Sequence, residues 1–162
     1  MTTSSAQPVT GTDVELLMKL MHQYSDCLDN GRLEELVALF TDDGVWDGSA
    51  WGLAEVRGAA QLRTFFDATI LAHAGTGTVH LVLNHIIDVS ADTAAGTAYF
   101  QAFGRNPDGT RKDSLGLYTD QFVRTGASWK FARRTVRAVL GPPAGSLEAP
   151  GPADASAGLV GK

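Results

Sequence analysis

One histidine, one tyrosine and two aspartates have the side chains needed for acid–base chemistry. Tyr24, Asp26 and Asp29 lie in the first predicted helix, and His80 begins the first long predicted strand. A carboxylate beside an imidazole can fix its tautomer and raise its basicity, which gives a general base for neutral pH. A tyrosine hydroxyl nearby can polarise a carbonyl group or hold a water molecule. These four residues are the candidate catalytic set, with His80 as base and acid and Tyr24 as the binder of the substrate oxygen.

Helical geometry separates the two aspartates. Asp29 falls roughly 60° from the centre of the apolar stripe of the helix, Tyr24 roughly 80° on the other side, and Asp26 about 120° away. This favours Asp29, at the buried edge, over a solvent-facing Asp26. Taken alone, Asp29 also fits a helix-terminal aspartate that turns into the following Asn30-Gly31 loop, and His80 alone also fits a packed core histidine.

The substrate side of the site is predicted from strand alternation and aromatic content. Alternation puts His80 and Asn84 on one face of the first long strand and His85 on the other, so Asn84 is expected to help hold the substrate oxygen. Aromatic residues dominate protein cores in general, and a plain core role fits most of those in this chain. The aromatic residues that could line a pocket are Trp46, Trp51, Phe65, Phe100 and Tyr118.

Helices precede strands along the chain. A capping box at Thr12–Glu15 opens the first helix, which ends at Asn30-Gly31. A second short helix follows, then a turn at residues 41–44, an extended stretch from Val45, and a third helix from about Gly58 to His73. Four long strands are predicted at residues 80–89, 94–105, 112–124 and 128–140, and their short turn-rich connections make successive strands antiparallel neighbours.

This element order predicts an α+β fold. We expect a cone-shaped half-barrel, in which a curved antiparallel sheet and three N-terminal helices enclose a pocket. The domain should span residues 12–140, between a flexible N-terminus over 1–11 and a disordered Gly/Pro/Ala-rich tail over 141–162. Both faces of the first long strand are apolar, so a second copy of the chain is expected to cover the outer sheet face, giving a homodimer or homo-oligomer.

Composition argues against several other classes of protein. The net charge of −5 speaks against nucleic acid as a partner, and Arg133, Arg134 and Arg137 are expected on a solvated face. Cys27 is the only cysteine, so an intramolecular disulfide and a thiolate metal cluster are excluded. No signal peptide or membrane-spanning run is visible, which predicts a cytoplasmic protein. The sequence shows neither metal-ligand spacing nor a phosphate loop, so no cofactor is expected.

Several segments along the chain carry a family resemblance. The run from Tyr24 to Gly31, followed by Leu36 to Trp46, resembles the SnoaL-like family of the nuclear-transport-factor-2-like superfamily. The resemblance continues through Val79-His80 to the Tyr118-Thr119-Asp120 and Trp129-Lys130-Phe131 segments. Relatives of this kind include scytalone dehydratase, bile-acid dehydratases, hexachlorocyclohexane dehydrochlorinase and polyketide cyclases. The resemblance implies cofactor-free proton abstraction coupled to elimination, isomerisation or ring closure.

The family motifs map onto the candidate residues in two ways. Tyr24 and Asp29 match the Tyr-x-x-x-x-Asp motif of bile-acid dehydratases, and His80 matches the strand histidine of the dehydratases. The dehydrochlorinase motif instead places its aspartate at Asp26 and its basic residue at Arg124, which the resemblance makes a substrate-binding candidate. The resemblance therefore leaves open which aspartate pairs with His80.

The sequence is consistent with three functions. The leading one is a cofactor-independent lyase, isomerase or cyclase that acts on a small, apolar, cyclic or polyketide-like substrate. The second is a non-catalytic protein that binds such a molecule. The third is an assembly subunit, like the β subunit of ring-hydroxylating dioxygenases, which shares this fold. Gln101 stands near the place of the second active-site histidine of scytalone dehydratase, so the resemblance does not carry that substrate over.

Overall fold

The computed structural model describes residues 11–75, 77–106 and 108–139. Apart from residue 11, the predicted flexible N-terminus lies outside these ranges, as does the predicted tail. None of the described helices combines the length and the apolar composition that a membrane-spanning segment requires.

Three helices precede the four long strands, which confirms the α+β class. The third helix has the predicted bounds, and each of the four long strands lies within two residues of its predicted bounds. The elements are α1 (Gly11–Asp29), α2 (Leu33–Ala38), β1 (Phe40–Asp47), a 3-10 turn (Ser49–Trp51), β2 (Glu55–Arg57), α3 (Gly58–His73), β3 (Val79–Ser90), β4 (Thr93–Arg105), β5 (Arg111–Thr125) and β6 (Ser128–Ala138).

The six strands form one curved sheet in the order β2-β1-β6-β5-β4-β3. Strands β3 to β6 make the predicted antiparallel meander. Strand β1 pairs parallel with β6, so the sheet is mixed and the prediction of an antiparallel sheet is corrected at that pair. The segment 41–44, predicted as a turn, lies inside β1, where a register shift between Phe40 and Val45 accommodates its turn-type residues.

Helix α1 lies across the concave face of the sheet. Its apolar side, which includes Leu17, Met21 and Tyr24, is buried in the core. This is the i, i+4, i+7 spacing of a helix with one buried stripe. Gly31 then takes a φ of 67°, the left-handed conformation that ends the helix and turns the chain into α2.

The middle of the core is a layer of aromatic rings. Phe100 stacks on Tyr118 with their ring centroids 4.3 Å apart. Phe100 pairs with Gly116 of β5. This position must be glycine, because a Cβ at Gly116 would overlap the Phe100 ring. The absence of that side chain lets Phe100 lie flat across the strand.

A fully buried ion pair sits beneath this layer. The Arg134 guanidinium donates two hydrogen bonds to the Asp120 carboxylate, at 2.8 and 2.7 Å, and both side chains have no exposed surface. The guanidinium also lies 4.2 Å from the ring centroid of Tyr24 and 3.9 Å from that of Tyr118. Stacking of this kind suits arginine, whose planar charge is weakly hydrated.

The burial of Arg134 corrects the expectation that this arginine lies on a solvated face. In the β5–β6 register, Gln121 faces Arg133 and Phe122 faces Phe131, so Ala132 is an extra residue in β6. Such a bulge shifts the alternation by one residue. As a result Phe131 and Arg134 both point into the core.

We predict that Asp120→Ala lowers the free energy of unfolding by about 3–5 kcal/mol, because it leaves the buried Arg134 charge without its partner. Asp88→Ala, on an exposed position of β3, serves as the control and should change it by less than about 0.5 kcal/mol. Urea unfolding curves measure both. Replacing the pair together, as Asp120→Leu with Arg134→Met, should recover most of the loss. Equal losses for Asp120→Ala and Asp88→Ala would contradict this assignment.

Candidate active site

Asp29 and His80 form a dyad where the end of α1 meets the start of β3. One carboxylate oxygen of Asp29 accepts a hydrogen bond from the backbone N–H of His80 at 2.7 Å. The other oxygen lies 2.5 Å from Nδ1 of the His80 ring. The two side chains are 14% and 10% exposed. Because Nδ1 faces the carboxylate, Nε2 is the ring nitrogen that remains to exchange a proton with a substrate.

The other candidate aspartate lies elsewhere. Asp26 is 57% exposed and forms a salt bridge with Arg32. Its carboxylate also accepts a hydrogen bond from the side chain of Asn30 at 2.9 Å. The structure therefore brings Asp29, and not Asp26, to His80, which is the choice that helical geometry favours.

Tyr24 is held deep in the core. Its hydroxyl accepts a hydrogen bond from the indole N–H of Trp46 at 2.9 Å. Burial raises the pKa of Tyr24 to about 12, against the opposing effect of the Arg134 charge. The rings of Phe100 and Tyr118 link it to the dyad: Phe100 lies 6.4 Å from the His80 ring, and Tyr118 lies 5.9 Å from Tyr24. Tyr24 thus supports the aromatic layer next to His80, and the charge of Asp29 contributes to its raised pKa.

The five predicted pocket-lining aromatics divide into two groups. Trp46, Phe100 and Tyr118 are buried core residues. Trp51 and Phe65 are half-buried and pack on that core, Trp51 at 5.5 Å from Phe100 and Phe65 at 4.3 Å from Trp46, measured between ring centroids. The wall closest to His80 is therefore made by Phe100, with Trp51 behind it at the partly exposed rim.

Asn84 does not share a face with His80. It adopts a φ of 53°, and the β3–β4 register shifts between Leu83 and Ile86. Because of this bulge, the inward alternation that starts at His80 resumes at His85, which packs edge-on against His22 of α1 with ring centroids 4.9 Å apart. Asn84 is exposed, so the expectation that it shares a face with His80 is corrected, and its role in holding the substrate oxygen stays a prediction.

Arg124 is also far from the dyad. Its guanidinium donates to the Asp13 carboxylate at 2.8 Å, close to the N-terminal end of α1, and it stacks on the Trp129 ring at 4.4 Å. Asp13 and Asp29 are separated by 16 helical residues, about 24 Å at 1.5 Å per residue. The substrate-binding role expected for Arg124 is therefore not supported by its position, which instead anchors α1.

Comparison with known proteins places the chain in a family. The profile described as the SnoaL-like domain matches residues 11–135. The chain belongs to the SnoaL-like domain family. No match was found among curated proteins.

Solved structures resemble this SnoaL-like domain in fold. An NTF2-like protein with a cystatin-like fold from Novosphingobium aromaticivorans is 27% identical, with a TM-score of 0.73 over 82% of this chain and 86% of that one. A candidate aromatic ring hydroxylase from the same organism is 27% identical, with a TM-score of 0.74 over 82% and 93%. A candidate scytalone dehydratase, also from that organism, is 26% identical, with a TM-score of 0.70 over 85% and 96%.

His73 is a residue that sequence reasoning treated only as a helix end. It closes α3, and its ring centroid lies 6.4 Å from that of His80. Burial is the largest cause of the lowered pKa of His73, and the charges of His80 and Lys112 lower it further while Asp29 opposes them. The sequence predicts the bounds of α3. It does not predict that the connection to β3 brings His73 next to His80, because that contact is set by the path of the chain after the helix.

Lys112, near the start of β5, was also not among the candidate site residues predicted from the sequence. Through the strand pairings, Lys112 faces Gly104 and the next inward position, Ser114, faces Ala102, which in turn faces His80. Lys112 is half-buried, and desolvation lowers its pKa. Alternation along β5 could have shown that Lys112 points inward, because the inward positions that follow it include the buried Tyr118 and Asp120.

No metal site accompanies these groups in the part of the chain that the structure describes, where no cluster of three or more His, Cys, Asp or Glu side chains could hold an ion. A groove of about 440 Å³ runs along the solvent side of α1, past Lys19, His22 and Asp26. It does not include the Asp29–His80 dyad, which lies at the C-terminal end of α1.

Proposed function

We propose that this SnoaL-like domain is a cofactor-independent enzyme, a lyase, isomerase or cyclase, in which the Asp29–His80 dyad moves a proton on a small cyclic or polyketide-like substrate. The observation that carries the proposal is the double engagement of Asp29 with the backbone and the ring of His80. This contact both positions the imidazole and offers a negative charge to its protonated form. An imidazole that a carboxylate orients in this way has the arrangement of a general base.

The proposed chemistry starts from a carbon acid next to a carbonyl group. Nε2 of His80 removes the proton, the C–H electron pair moves into the enolate, and Asp29 stabilises the imidazolium that results. In an elimination, the enolate expels a β-hydroxyl group that takes the proton from Nε2 and leaves as water. In an isomerisation, the same proton returns to a different carbon. In a cyclisation, the enolate carbon attacks a second carbonyl group, whose oxygen receives the proton.

The proposed substrate class follows from the surroundings of the dyad. The Phe100 ring lies next to the His80 ring, and Trp51 packs on Phe100 at the partly exposed rim. Aromatic surroundings of this kind suit a ring system. The candidate scytalone dehydratase with a similar fold supports elimination as one of the reactions within this range.

Deuterium exchange tests the proposal with a simple ketone in place of the natural substrate. In D₂O, the protein should accelerate exchange of the α-protons of 2-tetralone, a cyclic carbon acid, as followed by proton NMR. His80→Ala should lower the acceleration by about 10²- to 10⁴-fold, the usual contribution of a general base. Asp29→Asn should also lower it, because the neutral amide cannot stabilise the imidazolium.

Asp26→Asn is the matched control, because it alters a carboxylate three residues away that pairs with Arg32 instead. Its exchange rate should equal that of the wild-type protein. Unchanged exchange in His80→Ala would contradict the proposed mechanism. Saturable binding of the ketone with no accelerated exchange would instead favour the non-catalytic binding protein.

We also propose that the domain self-associates through its outer sheet face. Exposed apolar side chains cluster there on β3 and β4, the strands at one edge of the sheet. An exposed apolar patch of this kind is typical of a protein–protein interface. The patch consists of Val79, Leu81, Leu83, Ile86 and Tyr99, which are between 39% and 67% exposed.

Light scattering during size exclusion measures this association. The wild-type protein should show twice the chain mass of 17.1 kDa, and the double variant Leu81→Lys with Leu83→Lys should shift towards a single chain. Two charged residues in the patch would have to be desolvated in a dimer. A monomeric wild-type protein at high concentration, or a dimer unaffected by both substitutions, would contradict the proposed interface.

A further inference from the structure

The sheet floor beside the dyad is built from small residues. On the concave face, the row of inward positions that starts at His80 continues through Ala102 to Ser114. The neighbouring row pairs Gly104 with Lys112. A Cβ at Gly104 would lie 3.2 Å from Oγ1 of Thr78, so the Thr78 side chain borders the floor at Gly104. Since neighbouring strands are about 4.8 Å apart, β3 and β5 are separated by about 10 Å across this low floor.

Lys112 is the cation on the far side of the floor. Alternation along β5 turns its side chain to the same face as His80, and the strand rows place it diagonally across Ala102 and Gly104 from the dyad. No carboxylate in the described part of the chain forms a salt bridge with it. The adjacent Asp113 is exposed and pairs with Arg111. The Lys112 side chain is half-buried, and its charge is open to pairing with an anionic group of a ligand.

Lys112 carries the positive charge at the floor and Asp29 the negative one. Both oxygens of Asp29 are engaged by His80, so the Asp29 carboxylate does not pair with Lys112. The floor therefore favours a ligand that brings its own negative charge.

We propose that Lys112 binds an anionic oxygen of the ligand, so that the site takes small cyclic or aromatic acids. The ligand would lie on the Ala102–Gly104 floor with its acidic group at Lys112 and its ring near His80 and Phe100. This inference rests on the proposed function for the place of the reacting carbon, but it concerns binding and can be measured without turnover.

Two matched probes test it. Isothermal titration should show that the wild-type protein binds 2-naphthoate more tightly than the neutral 2-naphthamide. Lys112→Met keeps most of the side-chain length and removes the charge, so it should weaken naphthoate binding by about two- to fivefold, the effect of one partly exposed ion pair. Naphthamide binding should not change. Lys112→Arg should retain the preference for naphthoate.

Lys130→Met is the control, because Lys130 is a half-buried lysine on β6 next to the inward-facing Trp129 and Phe131 and therefore points to the other face of the sheet. It should bind both probes as the wild-type protein does. Equal affinity of the wild-type protein for the two probes, naphthoate affinity unchanged in Lys112→Met, or no naphthoate binding at millimolar concentration would each overturn the proposal.

A ligand-free measurement checks the position of Lys112. The groups whose charges act on His73 are His80, Lys112 and Asp29. Loss of the positive charge in Lys112→Met should raise the pKa of His73, and loss of the negative charge in Asp29→Asn should lower it. Proton NMR titration of the His73 ring resolves both shifts, and an unchanged titration in Lys112→Met would place the lysine away from the site.

The experiments distinguish failure of the anion site at Lys112 from failure of the proposed catalysis by His80. His80→Ala should lose the deuterium exchange but retain the preference for naphthoate, because Lys112 remains. Loss of the preference in Lys112→Met combined with full exchange in His80→Ala would keep the anion site and remove the proposed catalysis. The reverse pattern would keep the dyad and remove the anion site.

Discussion

Two aspartates at the ends of α1 tie this helix to the sheet, and the arrangement of the site depends on that attachment. Asp13 accepts hydrogen bonds from Arg124 and from the indole of Trp129 at one end. Asp29 accepts them from the backbone and ring of His80 at the other. Because both ends of α1 are held, its apolar stripe packs on the concave face of the sheet. A shift of the helix by one residue along its axis, about 1.5 Å, would break both attachments.

The buried Arg134–Asp120 pair supports the same arrangement from below. Its guanidinium stacks on Tyr24 from α1 and on Tyr118 from β5, so one charged group joins the helix to the sheet. The rings of Tyr118 and Phe100 then connect this pair to His80. The dyad is therefore held by its own hydrogen bonds and by a packed aromatic wall, while the Lys112 side of the floor is left with small residues. The proposed function requires this combination of a rigidly held imidazole and small neighbouring residues.

Most of the fold was predictable because helical and strand periodicities are local properties of the sequence. Position along α1 also favoured Asp29 correctly over Asp26. The errors concentrate where one extra residue enters a strand. The bulges at Asn84 and Ala132 reverse which face the following residues occupy, so Asn84 turned outwards and Arg134 inwards. The parallel pairing of β1 and the approach of His73 to His80 depend on long-range contacts, which periodicity does not describe.

The central claim is that Asp29 holds the His80 ring as a base with its lone pair on Nε2. Long-range nitrogen–proton NMR correlation of the neutral imidazole measures this directly, because it distinguishes the protonated ring nitrogen from the bare one. The account predicts a proton on Nδ1 and a bare Nε2 in the wild-type protein. In Asp29→Ala, the preference for this tautomer should be weaker. A proton on Nε2, or a tautomer mixture that Asp29→Ala leaves unchanged, would contradict it.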